Sequence, residues 1–145
     1  MSSLHVVFRI ADAEYALAAA DVLQMESYTG ATAVPGSLPY VTGVIQVRGR
    51  IVPVIDLRAR FGLPPAAPTL DSRVVVVELK NRTVGLLVDS AREVIKLAAD
   101  QLRPPPRAMT DGEDGFVRAV AHLGKRLLVL IDFAKVIGED PVHGN

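Results

Sequence analysis

Apolar residues run through the chain in short blocks separated by polar or glycine-containing breaks. Leu4, Val6, Phe8 and Ile10 alternate with His5, Val7 and Arg9, the period-two pattern of a strand with one buried face. Ala11–Glu14 reads as a turn, Tyr15–Ala18 as the returning strand, Ala19–Asp21 as one helical turn and Val22–Ser27 as a third strand. Thr29–Pro39, with two glycines and two prolines, is a connector. Val41–Val47 and Ile51–Ile55 then flank a turn at Arg48–Arg50. After a Pro/Ala linker at 64–68, Arg73–Leu79 and Thr83–Val88 predict a hairpin across Lys80–Arg82. The unbroken β-branched run Val74–Val77 predicts a strand covered on both faces. Ser90–Leu97 fits either a strand or a short helix. Pro104–Pro106 ends that element, and Met109–Gly115 reads as a polar, acidic loop.

Residues 40–62 and 116–138 align without a gap. Tyr40 meets Phe116, Val44 meets Val120, Arg50 meets Arg126, Ile55-Asp56 meets Ile131-Asp132 and Gly62 meets Gly138. Each copy reads as strand, turn, strand, Asp and a short helical turn closed by glycine. Asp56 and Asp132 therefore suit helix N-caps, worth about 1 kcal/mol each, a reading preferred over catalysis. A repeated hairpin with only stubs of helix predicts an all-β chain built from two small barrels. The copies differ most visibly at Arg48, whose counterpart is Gly124.

Composition narrows the functional classes. Half of the 145 residues are apolar, enough for a core without staples, and the 16 basic and 16 acidic side chains cancel. That balance argues against nucleic acid or an anionic membrane surface as the main partner. Cysteine is absent, which excludes disulfides and thiol chemistry. The N-terminus lacks a signal-peptide pattern and no apolar run could span a bilayer, so a soluble protein without membrane insertion is expected, compatible with a reducing cytoplasm. His5, His122 and His143 have no partner at metal-ligand spacing. The serines sit in no nucleophile elbow and the glycines in no phosphate-binding loop. No catalytic residue, cofactor or metal is expected, which leaves a binding module by elimination. Arg48, at a strand end, is either an ordinary solvated turn residue or an interface anchor using its planar fork and apolar stem.

The stretch Gly43–Arg58 (GVIQVRGRIVPVIDLR) resembles the signature of the CheW family, the chemotaxis coupling proteins. Glu14–Leu17, Val84–Asp89 with Glu93–Ile95, Leu102–Pro106 and Leu130–Asp132 resemble further family motifs in the expected order. The resemblance implies one CheW-like domain over residues 1–145, made of two SH3-like five-stranded β-barrels around a common hydrophobic core. It also implies a non-catalytic adaptor, monomeric when free, that joins the cytoplasmic tips of chemoreceptors to the regulatory domain of a CheA-type histidine kinase. Receptor helices are then expected in a groove between the barrels, with recruitment to membrane receptor arrays.

Carried over by position, Arg48 matches the arginine associated with receptor coupling, and Val22 and Gly43 match positions linked to partner binding. Gly43 has a backbone reading beside that one, and Val22 a core reading. Gln24 stands where the family usually has glutamate, and Gln46 where asparagine usually precedes the Leu-Arg-Gly triplet, here Val47-Arg48-Gly49. A lost surface ion pair is worth about 0–1 kcal/mol, so the first departure bears on partner choice more than on binding itself. The alternatives are a regulatory decoy that binds the kinase without recruiting receptors, and a coupling protein of a non-flagellar, for example pilus, pathway.

Overall fold

The computed structural model describes residues 2–106 and 115–138, so most of the acidic stretch Met109–Gly115 and His143 lie outside the described residues. Eleven strands run in chain order among the described residues. They are β1 (Ser2–Ile10), β2 (Ala13–Ala18), β3 (Val22–Ser27), β4 (Val41–Val47), β5 (Arg50–Asp56), β6 (Arg73–Leu79), β7 (Arg82–Val88), β8 (Ser90–Ala98), β9 (Leu102–Arg103), β10 (Val117–Leu123) and β11 (Arg126–Ile131). Short helices α1 (Leu57–Arg60) and α2 (Phe133–Ile137) follow β5 and β11, and 3₁₀ turns at Ala19–Asp21 and Ala99–Gln101 precede β3 and β9. Ser90–Ala98, open between strand and helix in the sequence, is a strand because it pairs along β1.

The strands form two sheets of matching topology. One has the order β3-β6-β7-β5-β4 and the other β8-β1-β2-β11-β10-β9. In both, the central pair is parallel, β5 with β7 and β2 with β11, and every other pairing is antiparallel. The five-stranded sheet is continuous in sequence. Its sister is completed by the N-terminal hairpin β1–β2, which fills the place that β6–β7 fills in the first. The larger sheet adds a two-residue sixth strand, β9, paired at Leu102 and Arg103.

The repeat holds in detail. Register shifts interrupt β4–β5 between Val41 and Gly43 and β10–β11 between Val117 and Ala119, at equivalent positions. Asp56 Oδ1 accepts the Arg58 N–H at 3.0 Å, and Asp132 Oδ1 accepts the Lys135 N–H at 3.3 Å. Both acids are therefore N-caps. The hairpin tips differ. Arg48 and Gly49 both have positive φ, 50° and 79°, the pair of left-handed residues that suits the strand twist. In the sister turn the left-handed position belongs to Gly124, φ 58°.

Hydrophobic burial explains why two thin sheets suffice. Val47, Val52, Val54, Val74 and Val76 fill the inside of one half, and Val7, Ala16, Leu97, Ala121, Leu128 and Leu130 fill the other. Between them lies a shared core with Phe8, Ile55, Leu57, Val75, Val77, Leu86, Ile131 and Ile137. Val74 and Val76 thus face one cluster and Val75 and Val77 another, so β6 is covered on both sides as its β-branched run predicts. The first strand corrects the sequence pattern. Leu4 is 51% exposed while His5, Val6, Val7, Phe8 and Ile10 are all buried. β1 lies between β8 and β2 with a core on either side, so alternation of polarity cannot persist along it.

Candidate interaction site

The seam between the halves carries a run of four aromatic rings that starts in the shared core at Phe8. α1 is a single turn, so Phe61 leaves it close to the start of β10. Phe8 and Tyr15 stack with centroids 6.0 Å apart, Tyr15 meets Phe61 at 5.5 Å, and Phe61 meets Phe116 at 5.4 Å. Tyr15, Phe61, Leu63, Phe116, Val117 and Ile131 line an open apolar groove of about 190 Å³. Phe61 and Leu63 come from the five-stranded half, and the other four from its sister. Burial raises the Tyr15 phenol pKa, so the groove keeps a neutral hydroxyl at physiological pH. Beside it, the Arg60 guanidinium lies 4.1 Å from the Tyr40 ring centre and 4.8 Å from that of Phe116.

One arginine cluster braces this seam and a second lies within the six-stranded sheet. Arg58 on α1 grips Asp89 through Nη2 at 2.7 Å and Nε at 3.0 Å, and Asp89 Oδ2 also accepts the Ala11 N–H at 2.8 Å. The Arg58 hydrogen bonds, with help from the Ala11 amide, hold the Asp89 carboxyl below the usual carboxylate range, and Asp89 raises Arg58 in turn. Arg126 bridges Glu14 at 2.8 Å and Glu93 at 2.6 Å across three strands. Its hydrogen bond lowers the Glu93 pKa, and the two carboxylates raise that of Arg126. His5 is buried with Nδ1 3.2 Å from the Ser3 carbonyl oxygen, a structural position. Among the described residues no group of three or more His, Cys, Asp or Glu side chains is placed to hold a metal ion, and no helix is long and apolar enough to cross a membrane.

The residues singled out from the sequence all lie on the five-stranded half. Arg48 stands exposed at the tip of the β4–β5 hairpin. Val22 and Gln24 are half-buried on β3, the opposite edge of that sheet, with exposed Leu23 and Met25 beside them. Val22 packs against the shared core. The Gln24 Nε2 donates to Glu26 Oε2, so a carboxylate occupies the same strand face two residues on. The two edges approach each other across a polar cleft of about 400 Å³ whose lining includes Glu26, Tyr28, Thr32, Gln46 and Ile51. Arg48 follows two residues after the cleft-lining Gln46.

Gly43 is buried, and its neighbourhood explains why it has no side chain. Thr32 and Val44 exchange two backbone hydrogen bonds, 2.9 and 2.8 Å, which clip the 28–40 connector onto the β4 edge. A Cβ on Gly43 would lie 2.3 Å from the Thr32 carbonyl oxygen, and its φ is +147°. Any influence of Gly43 on a partner runs through the connector it lets approach. The aromatic groove and Arg60 were not anticipated from single residues. The alignment of Tyr40 with Phe116 is the signal that could have pointed to them, because it places two rings at matching hairpin starts.

Comparison with known proteins agrees with this geometry. A family model described as a CheW-like domain matches residues 4–140. The probable chemotaxis protein CheW of Rhizobium etli is 35% identical over 134 residues, 92% of this chain and 86% of that protein. Chemotaxis protein CheW of Bacillus subtilis is 33% identical over 135 residues, 93% and 86% respectively. The crystal structure of scaffolding protein TtCheW from Thermoanaerobacter tengcongensis matches with a TM-score of 0.88 and 31% identity, covering 99% of this chain and 97% of that one.

Proposed function

The chain belongs to the CheW-like domain family, and from that premise we propose that it is a non-catalytic adaptor coupling chemoreceptors to a CheA-type histidine kinase. The observation that carries the proposal is the extent of the likeness, which takes in both sheets and the seam between them. A coupling protein needs two separate surfaces, one for each client. The aromatic groove suits an amphipathic receptor helix, since it offers an apolar strip with the Arg60 guanidinium beside one wall. The exposed edge β3, with Leu23 and Met25, suits a second small barrel such as the kinase regulatory domain.

Within this reading Arg48 is the principal receptor-coupling residue, because it is exposed and holds a conformation that its sister turn assigns to glycine. Val22 and Gln24 contribute from β3, and Gly43 acts through the connector held at Thr32. The protein is a cytoplasmic monomer when free and is recruited to receptor arrays at the membrane. A kinase-binding decoy is not favoured: Glu26 supplies a carboxylate on the face where Gln24 lacks one.

The test is reconstitution of a receptor signalling fragment, a CheA-type kinase and this protein, with kinase activity as the readout. Arg48→Ala and Arg48→Glu are expected to abolish most receptor-dependent control while leaving the melting transition intact. Unchanged control with both variants removes Arg48 from the site. Failure of the unaltered protein to bind either client refutes the adaptor reading.

A further inference from the structure

The two short helices of the repeat end differently. After α1 the chain satisfies its own carbonyls: the Phe61, Gly62 and Leu63 amides donate to Leu57, Ala59 and Arg58 oxygens at 2.9, 3.2 and 2.8 Å. The carbonyls at the end of α2 are met from the other half. Arg60 donates from Nε to the Val136 oxygen at 2.8 Å and from Nη2 to the Lys135 oxygen at 3.1 Å. Arg82, at the start of β7, donates from Nη2 to the Gly138 oxygen at 2.7 Å. A cationic donor at a helix C-terminus is favoured by both the unpaired carbonyls and the helix dipole.

Arg60 does more than cap. Its guanidinium lies against Tyr40 and Phe116, the equivalent rings at the starts of the two repeated hairpins. Its neighbour in sequence, Phe61, is one wall of the apolar groove, and Phe116 is part of the other. One side chain therefore ties the α1 wall to α2 and to the opposite aromatic wall.

We propose that Arg60 is a positioning residue that sets the separation of the groove walls, so that affinity for a helical partner depends on a side chain the groove lining does not include. The inference rests on the groove reading given above. A planar guanidinium performs both tasks at once, because it donates in its plane and stacks through its face. Lysine has the charge but neither the fork nor the flat face. Replacement at this position leaves the two sheets joined by their shared core while freeing the walls to change spacing.

The absence of cysteine permits a direct measurement. Spin labels at Ile51→Cys and Leu127→Cys, 66% and 48% exposed on separate sheets, report the distance between the halves. Arg60→Lys and Arg60→Ala are compared with the unaltered side chain, with a receptor signalling fragment and a CheA regulatory domain titrated separately. The expected result is a broadened or displaced distance distribution and a receptor affinity lowered about tenfold, with kinase-domain affinity unchanged and Arg60→Lys intermediate. Unaltered distances in both variants overturn the proposal, as does equal loss of both partners, which marks a folding defect. Lost receptor affinity at an unaltered distance means direct contact by Arg60 and also overturns it. If the unaltered protein fails to bind the receptor fragment, the groove reading falls, and the distance comparison alone decides whether Arg60 sets the spacing.

Discussion

Replacing Gly43 with alanine tests whether the connector is held as the geometry requires. The new Cβ would stand 2.3 Å from the Thr32 carbonyl oxygen and 2.7 Å from its carbon, both backbone atoms. Neither can swing away as a flexible side chain would, so the strand or the connector must move. Movement of the connector breaks the two Thr32–Val44 hydrogen bonds, each worth about 1 kcal/mol net. Holding a non-glycine residue at φ +147° adds about 1–2 kcal/mol of backbone strain. The expected loss for Gly43→Ala is therefore about 3–4 kcal/mol, or a fall in melting temperature of about 10 °C for a chain of this size. Urea titration gives the stability and amide hydrogen exchange gives the location. Protection is expected to collapse first at Thr32 and Val44, while Val74–Val77 in the middle of the sheet stay protected. A variant with the original stability and full protection at both amides refutes the reasoning and returns Gly43 to the role of a direct partner contact.

Three other outcomes follow from the same geometry. Arg48→Gly copies the sister turn and is expected to leave stability unchanged or raise it by up to about 1 kcal/mol while weakening receptor coupling; a clear loss of stability in urea contradicts the strained-turn reading. Asp89→Asn weakens the pairing with Arg58, at a cost of about 1–2 kcal/mol near neutral pH. Because Asp89 has a depressed pKa in the folded protein, its contribution is full above the unfolded value and lost as pH falls through the folded one, so the gap between unaltered and Asp89→Asn proteins persists to about pH 4 and closes only below it. A gap that is constant from neutral to acid pH sinks that assignment. Asp56→Ala and Asp132→Ala each remove a helix N-cap and are expected to cost about 1 kcal/mol apiece in thermal or urea unfolding, additive within error because the two caps share no partner; no loss from either denies the capping role.

Much of this protein is determined by local sequence. The strands follow from β-branched runs, the turns from positions that accept left-handed residues, and the caps from Asp56 and Asp132, because each depends on neighbours a few residues away. The ungapped repeat even carries the doubled topology, down to matching register shifts. The tertiary structure alone decided three things. It placed the N-terminal hairpin in the sheet of the C-terminal repeat, a pairing between chain ends that no local pattern encodes. It buried β1 on both faces, since a strand's second face is covered or bare according to what packs on it. And it brought Arg60 between Tyr40 and Phe116 with its donors on α2, where it meets residues up to 76 positions away, contacts that exist only once the two halves meet.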